Sequence, residues 1–278
     1  MLFAIPPLVA EPIFHIANFP VTNAYINSCM AVLFFFIMGL ILKNRTALVP
    51  KGIQNAAEGA LEFLLKYIDQ VTHDRRRSLQ FLPIVGGIFL FILFSNYLGL
   101  LPGTGSIGRN LLVEGHVELV PFLRSANSDL NLTVAMAVFA VFFSHILGVV
   151  TIGFFKYTNK FIKLGDLYKS FSRGPIAIMT AAIEFGVGLL EIVSEVAKLV
   201  SLSFRLFGNI FAGEVLLTIM ASLFAYFVPL PFMFLELIVG LIQAVVFSML
   251  TLVYLTMATA PIVEHAHEST AGATEIHH

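Results

Sequence analysis

Five long apolar stretches constrain the fold of this chain more than any other feature of its sequence. Each is long enough to supply the roughly 20 helical residues that cross the apolar core of a bilayer. A membrane-spanning β-barrel would instead show alternating segments of about ten residues. We therefore predict a single all-α integral membrane domain over residues 1–278, with about five membrane-embedded helices. The predicted helices cover residues 22–43, 79–101, 131–155, 176–227 and 230–261.

The composition agrees with a membrane protein and excludes several other classes. Hydrophobic residues make up 58% of the chain and charged residues only 12%, whereas about a quarter of an ordinary soluble domain is charged. The net charge of −1 says nothing about a partner, and we expect no binding of nucleic acid. The single cysteine, Cys29, excludes a disulfide or a thiolate metal site within one chain. Histidines cluster only in the polar tail 262–278, which we expect to be mobile, so we predict no metal site and no cofactor.

Three segments outside the apolar stretches have patterns of their own. Residues 51–73 carry apolar side chains at helical spacing among charged and amide side chains, which predicts an amphipathic helix on the membrane surface or against the bundle. Residues 1–20 contain four prolines and are predicted to be extended or irregular. They lack the basic residues of a signal peptide, so we expect the N-terminus to be retained. Residues 102–130 are predicted to form a polar loop.

The distribution of the 16 basic residues orients the predicted helices. Cytoplasmic loops of membrane proteins carry an excess of lysine and arginine. Seven basic residues lie in 43–77 and five in 156–173, against two in 102–130. We therefore place the N-terminus and the 102–130 loop outside and the other two loops in the cytoplasm. The C-terminus is cytoplasmic only if 176–227 crosses the membrane once.

The stretch 176–227 contains no proline and few polar residues. At 1.5 Å per residue, about 50 helical residues would reach about 75 Å, which is more than twice the ~30 Å apolar core. Either two spans fold back on each other near Gly208 and Gly213, or one long helix lies steeply tilted. The residues alone leave both possibilities open.

Arg205 lies in the middle of this stretch, where a charge costs a few kcal/mol. Other ionisable side chains recur around it every seven residues, which places them on one stripe of a helix. Such groups mark ion or proton paths by default, although structural salt bridges, such as one from Lys198 to Glu195 or Glu191, would explain part of the stripe. Arg205 has no carboxylate three or four residues away, so we expect its partner to be Glu236 or a carboxylate of another subunit. The stripe and its neighbours are Glu184, Glu191, Ser194, Glu195, Lys198, Arg205 and Asn209.

Two motifs resemble signature sequences of subunit a of rotary ATP synthases. The first, SLSFRLFGNIFAGE at residues 201–214, is similar to the arginine-bearing helix of that subunit. The second, LIQAVVF at residues 241–247 followed by LTLVYL at 250–255, resembles its last helix. Weaker matches in the same order are NYLGLLPG at 96–103 and DLN at 129–131. The resemblance extends over most of the chain, from about residue 20 to residue 262.

The resemblance implies a bundle whose last two helices are very long and lie nearly in the membrane plane, against a ring of c subunits that each carry an essential carboxylate. It selects the single tilted helix for 176–227, and hence a cytoplasmic C-terminus. It also implies peripheral-stalk b subunits and the catalytic ATPase head as partners, beside the membrane lipids. The lack of a targeting segment and the positive-inside pattern favour a bacterial inner membrane over an organelle. The chain itself would catalyse no ATP chemistry and would form the translocating part of the complex.

Roles for individual residues are implied by the same resemblance, position by position. Arg205 matches the arginine that faces the ring carboxylates and separates two aqueous half-channels. Asn209 and Gln243 match residues that flank this arginine and help to position it. Glu214 and Glu236 match positions that line the outer half-channel. Further residues predicted to lie on the proton path are Glu191, Glu195 and Lys198, at the cytoplasmic half-channel, and Asp129.

Two other functions would also need intramembrane polar groups. A cation/proton antiporter would use Arg205 with Glu214 or Glu236, but antiporters of that kind usually show internal repeats, and the two halves of this sequence show none. A haem-bearing respiratory subunit would need two histidine ligands, whereas His145 is the only histidine within a predicted span. We expect His145 to be a hydrogen-bonded packing residue rather than a ligand.

Overall fold

The computed structural model describes residues 7, 9–16, 19–43, 47, 50–101, 103–104, 107–113, 116–161, 175–224 and 227–260. The predicted mobile tail 262–278 and most of the second predicted cytoplasmic loop lie outside the described residues. The elements in chain order are β1 (Pro12–Ile16), β2 (Phe19–Thr22), α1 (Asn23–Lys43), α2 (Ile53–Thr72), α3 (Arg75–Leu100), β3 (Gly108–Val113), β4 (His116–Pro121), a 3-10 turn (Ala126–Ser128), α4 (Leu130–Ile152), α5 (Phe154–Phe161), α6 (Pro175–Leu223) and α7 (Pro229–Thr259).

Five helices in the described part of the chain, namely α1, α3, α4, α6 and α7, are long and apolar enough to cross a membrane. This confirms the predicted all-α fold class with about five membrane-embedded helices. Helix α2 is amphipathic, because it buries Leu64, Leu65 and Ile68 while the charged residues Glu62 and Lys66 are exposed. It packs mainly against α3.

Helix α6 is continuous over 49 residues, which decides between the two arrangements that the sequence left open. At 1.5 Å per residue the helix is about 73 Å long. Its apolar part, Phe185–Leu223, has 39 residues and a length of about 58 Å. A straight helix of that length fits an apolar core of about 30 Å only if it lies strongly tilted.

Local chemistry sets two helix ends that differ from the sequence-based bounds. Helix α3 begins at Arg75 rather than at residue 79, because the Asp74 side chain caps it by accepting a hydrogen bond from the Arg76 backbone N–H at 2.9 Å. Helix α4 ends at Ile152, because Gly153 adopts a φ of 96°, a conformation that favours glycine. The short helix α5 then begins at Phe154.

Two antiparallel hairpins occur where the sequence predicted irregular chain. Strand β1 pairs with β2, and β3 pairs with β4 from Gly108 opposite Pro121 to Val113 opposite His116. The second hairpin lies within the predicted polar loop, where leucine and valine dominate both strands and favour pleated structure. The guanidinium Nη1 of Arg109 donates to the backbone carbonyl of Ile13 at 3.3 Å, so the two hairpins are joined.

The core lies where α3, α4, α6 and α7 meet, with Leu64 of α2 at its edge. Helix α7 packs against α3 and α4, and α4 also packs against α6. Alanines and glycines allow close approach of these helices, as at Gly240, where an added Cβ would lie 3.2 Å from the Cβ of Asn96. The buried core residues are Leu64, Ile88, Phe89, Ile92, Ala137, Ala140, Leu202, Leu206, Ile210, Ala244 and Phe247.

Candidate functional site

The position of Arg205 is set by the buried face of α6. Leu202, Leu206 and Ile210 follow one another at four-residue spacing and are nearly completely buried, which fixes the rotation of the helix against the core. Arg205 is therefore exposed, as is Asn209 one turn later. The exposed face presents the arginine away from the bundle.

Arg205 has few partners within the described part of the chain. Its Nη2 donates to the hydroxyl of Ser201 at 3.3 Å, and no ion pair among the described residues includes it. Gln243 of α7 is buried, and neither it nor Asn209 makes a recorded hydrogen bond with Arg205 in these ranges.

Glu214 and Glu236 lie together, on the C-terminal side of Arg205 along α6. The carboxyl group of Glu236 lies against the backbone of Gly213, so that a Cβ on residue 213 would overlap it. Glu214 follows Gly213 directly along α6, so both carboxyl-bearing residues lie at this contact between α6 and α7. The structure thus brings together the pair that the resemblance placed in one half-channel.

A third group at this site, Arg124, was missed as a site residue. Its Nε lies 2.8 Å from Oε1 and 3.1 Å from Oε2 of Glu214, and its side chain is only 3% exposed. Its Nη2 donates to the backbone carbonyl of Pro7 at 2.8 Å, and its own carbonyl accepts from Asn27 at 2.8 Å. The sequence counted Arg124 only as a loop cation, because no local pattern links it to partners 90 and 117 positions away.

Amide side chains extend this outer polar cluster, which we define as Arg124, Glu214 and Glu236, into the bundle. The Asn96 Oδ1 accepts from Asn127 Nδ2 at 2.8 Å and from Ser125 Oγ at 3.2 Å, and Asn96 Nδ2 donates to the carbonyl of Gly240 at 3.3 Å. Asp129 is nearly buried and caps α4 by accepting from the backbone N–H of Asn131 at 3.1 Å. This hydrogen bond stabilises the start of the helix. A role for Asp129 on the proton path stays a prediction.

An inner polar cluster, which we define as His145, Tyr157, Glu195, Lys198 and Tyr254, lies on the N-terminal side of Arg205. Lys198 Nζ donates to Glu195 Oε1 at 2.7 Å, as the sequence suggested for part of the stripe. The other oxygen, Oε2, lies 3.6 Å from Nε2 of His145. The hydroxyl of Tyr157 lies 2.6 Å from Nδ1 of His145, and Lys198 Nζ lies 5.4 Å from the centre of the Tyr254 ring.

These side chains surround a small cavity of about 30 Å³, which Glu191 also lines. A polar cavity of that size has room for about one water molecule. Burial raises the pKa of Tyr157 to about 12, helped by the negative charges of Glu195 and Glu191. Tyr157 therefore remains a neutral phenol at physiological pH and can both donate and accept a hydrogen bond.

Arg205 lies between the two clusters on one continuous helix. Glu195 precedes it by ten residues, or about 15 Å, and Glu214 follows it by nine residues, or about 14 Å. The side chain of Glu184 and the loop 162–174 lie outside the described residues. The arrangement is one of two separated polar regions with an exposed cation between them.

Comparison with known proteins shows the family of the chain. The model of the family described as ATP synthase A chain matches residues 25–256. A protein of Campylobacter concisus named ATP synthase subunit a is 33% identical over 239 residues, which cover 86% of this chain and 90% of the relative. Relatives of the same name in Campylobacter curvus and Syntrophobacter fumaroxidans are each 32% identical, over 85% and 83% of this chain and 90% and 80% of their own lengths.

The matched region contains α2, α3, α4, α5 and α6, and nearly all of α1 and α7. It therefore includes every residue of the inner and outer clusters. The family model covers well over half of the chain, and the relatives exceed 30% identity across more than four fifths of it. This multi-pass, all-α membrane protein belongs to the ATP synthase A chain family.

Proposed function

We propose that this chain is the proton-conducting stator subunit of an ATP synthase, with Arg205 separating an outer from an inner half-channel. The observation that carries the proposal is the position of Arg205, which is exposed and without an ion pair among the described residues, between two polar clusters on one helix. Membership of the family supports the proton-channel role itself. The outer cluster then lines one half-channel and the inner cluster the other.

The partner of Arg205 is a carboxylate on a ring of c subunits. The exposed face of α6 next to the arginine is apolar, with Val193, Val196, Val200 and Phe204 each at least 45% exposed, which suits packing against other membrane helices. An arginine about 4 Å from a carboxylate, at an effective dielectric constant near 20, contributes roughly 4 kcal/mol of attraction. That attraction favours the charged carboxylate and promotes release of its proton as each ring subunit arrives.

The permanent charge of Arg205 also keeps the two half-channels apart. A guanidinium remains protonated at any physiological pH, so it neither carries protons itself nor lets them pass between the clusters. Protons then cross the membrane only while they are bound to a ring carboxylate. This coupling turns proton flow into rotation of the ring and hence, in the catalytic head, into ATP synthesis.

The same proposal assigns partners and location. Peripheral-stalk b subunits hold the chain still relative to the catalytic head, and the chain catalyses no ATP chemistry of its own. The excess of basic residues in 43–77 and 156–173 supports a cytoplasmic side for those loops. With five crossings, the N-terminus is periplasmic and the C-terminus cytoplasmic in a bacterial inner membrane.

The test uses the whole complex in inverted membrane vesicles. Arg205→Ala should abolish ATP-driven proton pumping, while the ATPase activity of the detached head survives. Lys156→Ala, which removes an exposed cation on α5, is the matched control and should pump normally. Pumping that persists in Arg205→Ala contradicts the proposal. Isolation of the chain with a c-ring and a catalytic head separates it from the cation/proton antiporter, which would exchange ions without them.

A further inference from the structure

We propose that His145 is a proton-transfer residue at the inner end of the proton path, passing protons between Tyr157 and Glu195. The inference deepens the proposed function and rests on it. It assigns His145 and Tyr157 a chemical role, although the sequence indicated only a packing role for the histidine.

Each ring nitrogen of His145 faces a different titratable group on a different helix. Nδ1 lies 2.6 Å from the hydroxyl of Tyr157 on α5, which is a short and direct hydrogen bond. Nε2 lies 3.6 Å from Oε2 of Glu195 on α6. A ring with one nitrogen toward each neighbour can accept a proton on one side and release another on the opposite side.

The two carboxylate oxygens of Glu195 have different partners, which suits this transfer. Oε1 accepts a hydrogen bond from Lys198 Nζ at 2.7 Å, which leaves Oε2 as the oxygen that faces the imidazole. The separation of 3.6 Å is too long for a direct hydrogen bond. The adjoining cavity of about 30 Å³ has room for about one bridging water, and both residues line it.

The charged and titratable groups that face His145 come from three helices. Helix α6 contributes two carboxyl groups and one ammonium group, so the surroundings offset the positive charge of an imidazolium. Helices α5 and α7 each contribute a phenol. These groups are Glu191, Glu195, Lys198, Tyr157 and Tyr254.

The proton balance closes without any further reactant. During ATP-driven pumping, Tyr157 takes a proton from cytoplasmic water and gives its own hydroxyl proton to Nδ1 of His145. The resulting imidazolium then breaks its Nε2–H bond and forms an O–H bond on Oε2 of Glu195, directly or through the bridging water. One proton moves from the cytoplasmic side to Glu195, and no group is oxidised or reduced. The imidazole is left with its proton on Nδ1 and returns to the Nε2–H form by a turn of the ring before the next transfer, and ATP synthesis runs the same steps in reverse.

The experiment measures how proton pumping by the whole complex depends on pH. In inverted vesicles the cytoplasmic face is turned toward the bath, so the bath pH sets the proton supply to the inner cluster. His145→Gln keeps a polar side chain but cannot titrate. We expect it to pump within about twofold of wild type near pH 6, where free protons are abundant, and about tenfold more slowly near pH 8, where free protons are scarce and a relay through the imidazole contributes most.

A matched control separates proton transfer from packing. Ser144→Ala changes a neighbouring residue that lines the same cavity, and whose hydroxyl donates only to the carbonyl of Val141 among the described residues; its pH profile should match wild type. Tyr157→Phe removes only the hydroxyl that faces Nδ1 and should reproduce the loss at high pH. If His145→Gln does not assemble with the ring, Tyr157→Phe alone decides the test.

Two results would overturn the inference. An equal loss of pumping by His145→Gln at every pH would indicate a packing role, and a profile that matches wild type would show that the residue carries no protons. In either case Arg205→Ala still reports on the proposed function by itself. If Arg205→Ala abolishes pumping while the His145 and Tyr157 variants behave as wild type, only the inference about His145 fails.

Discussion

The carboxyl group of Glu236 on α7 packs against Gly213 on α6, in space that any larger residue at position 213 would fill. This contact brings Glu236 beside Glu214, which follows Gly213 directly in sequence and is paired with Arg124. The outer cluster therefore depends on a glycine that carries no chemistry of its own. The arrangement links the shape of α6 to the position of a carboxyl group on a neighbouring helix.

Gly213→Ala should displace the Glu236 carboxyl group and slow proton pumping about tenfold, while the complex still assembles. The added methyl group meets the end of a flexible side chain rather than a backbone, so the side chain moves and the helices remain packed. Gly186→Ala is the matched control, since a Cβ at that position of the same helix meets no atom within 4 Å. Pumping rates per assembled complex check the prediction, and equal rates in the two variants would contradict it.

Arg124→Gln should destabilise the chain by about 3 kcal/mol, because it leaves the carboxylate of Glu214 without its buried partner. Adding Glu214→Gln should recover part of that loss, since the second change removes the uncompensated charge. The control is Arg109→Gln, which loses one 3.3 Å hydrogen bond to a carbonyl and should cost about 1 kcal/mol or less. Thermal unfolding of the solubilised complex measures these differences. Equal melting temperatures for Arg124→Gln and Arg109→Gln would disprove the buried pair as a source of stability.

Arg205→Lys should reduce pumping at least tenfold although the charge is formally kept. Lysine is a compact ammonium that loses its proton more readily and lacks the planar donor geometry of a guanidinium. Ser201→Ala, in contrast, removes the hydrogen bond that Arg205 makes at 3.3 Å and should leave pumping within about twofold of wild type. A large loss in Ser201→Ala would mean that this hydrogen bond, rather than the charge alone, positions the arginine.

Tyr157→Phe should make the stability of the folded protein fall less steeply between pH 10 and 12. The pKa of Tyr157 is raised from 10.0 to about 12 by burial and by the nearby Glu195 and Glu191, so the folded state holds its phenolic proton more tightly than the unfolded chain does. Below pH 10 the phenol is protonated in both states, so its contribution to stability is fully present and does not change with pH; between pH 10 and 12 the stability of wild type falls as the unfolded chain ionises. Melting temperatures of the two proteins across that window measure the effect. Parallel curves would show that Tyr157 is not held as a neutral phenol.

The membrane helices were largely predictable, because the signal for them is local. Length and hydropathy of consecutive residues decide whether a helix can cross a bilayer, and α1, α6 and α7 each begin within one residue of the predicted start. The start of α3 and the end of α4 differ because of single-residue chemistry, namely the Asp74 cap and the positive φ of Gly153. Helix α6 also ends earlier than predicted, at Leu223 rather than residue 227. The hairpins were missed because their short strands carry too few residues for a clear alternation.

The candidate site was predictable in some of its members, and in its contacts only for the pair of Lys198 with Glu195. Arg205 stands out in sequence because a charge in an apolar helix is costly, and the resemblance to a family supplied candidate roles for its neighbours. Which residues touch could not be inferred in the same way. Asn96 and Gly240 lie 144 positions apart, yet they share a hydrogen bond.

The sequence by itself thus determined that the chain is a helical membrane protein. It also showed that one long apolar segment contains an arginine, whose charge is energetically costly there. Both conclusions follow from residues close together in the chain. Only the tertiary structure decided that this segment is a single helix, that Arg124 pairs with Glu214, and that His145 joins Tyr157 to Glu195. Those contacts depend on how α4, α6 and α7 pack, and packing is set by the shapes of all the buried side chains at once.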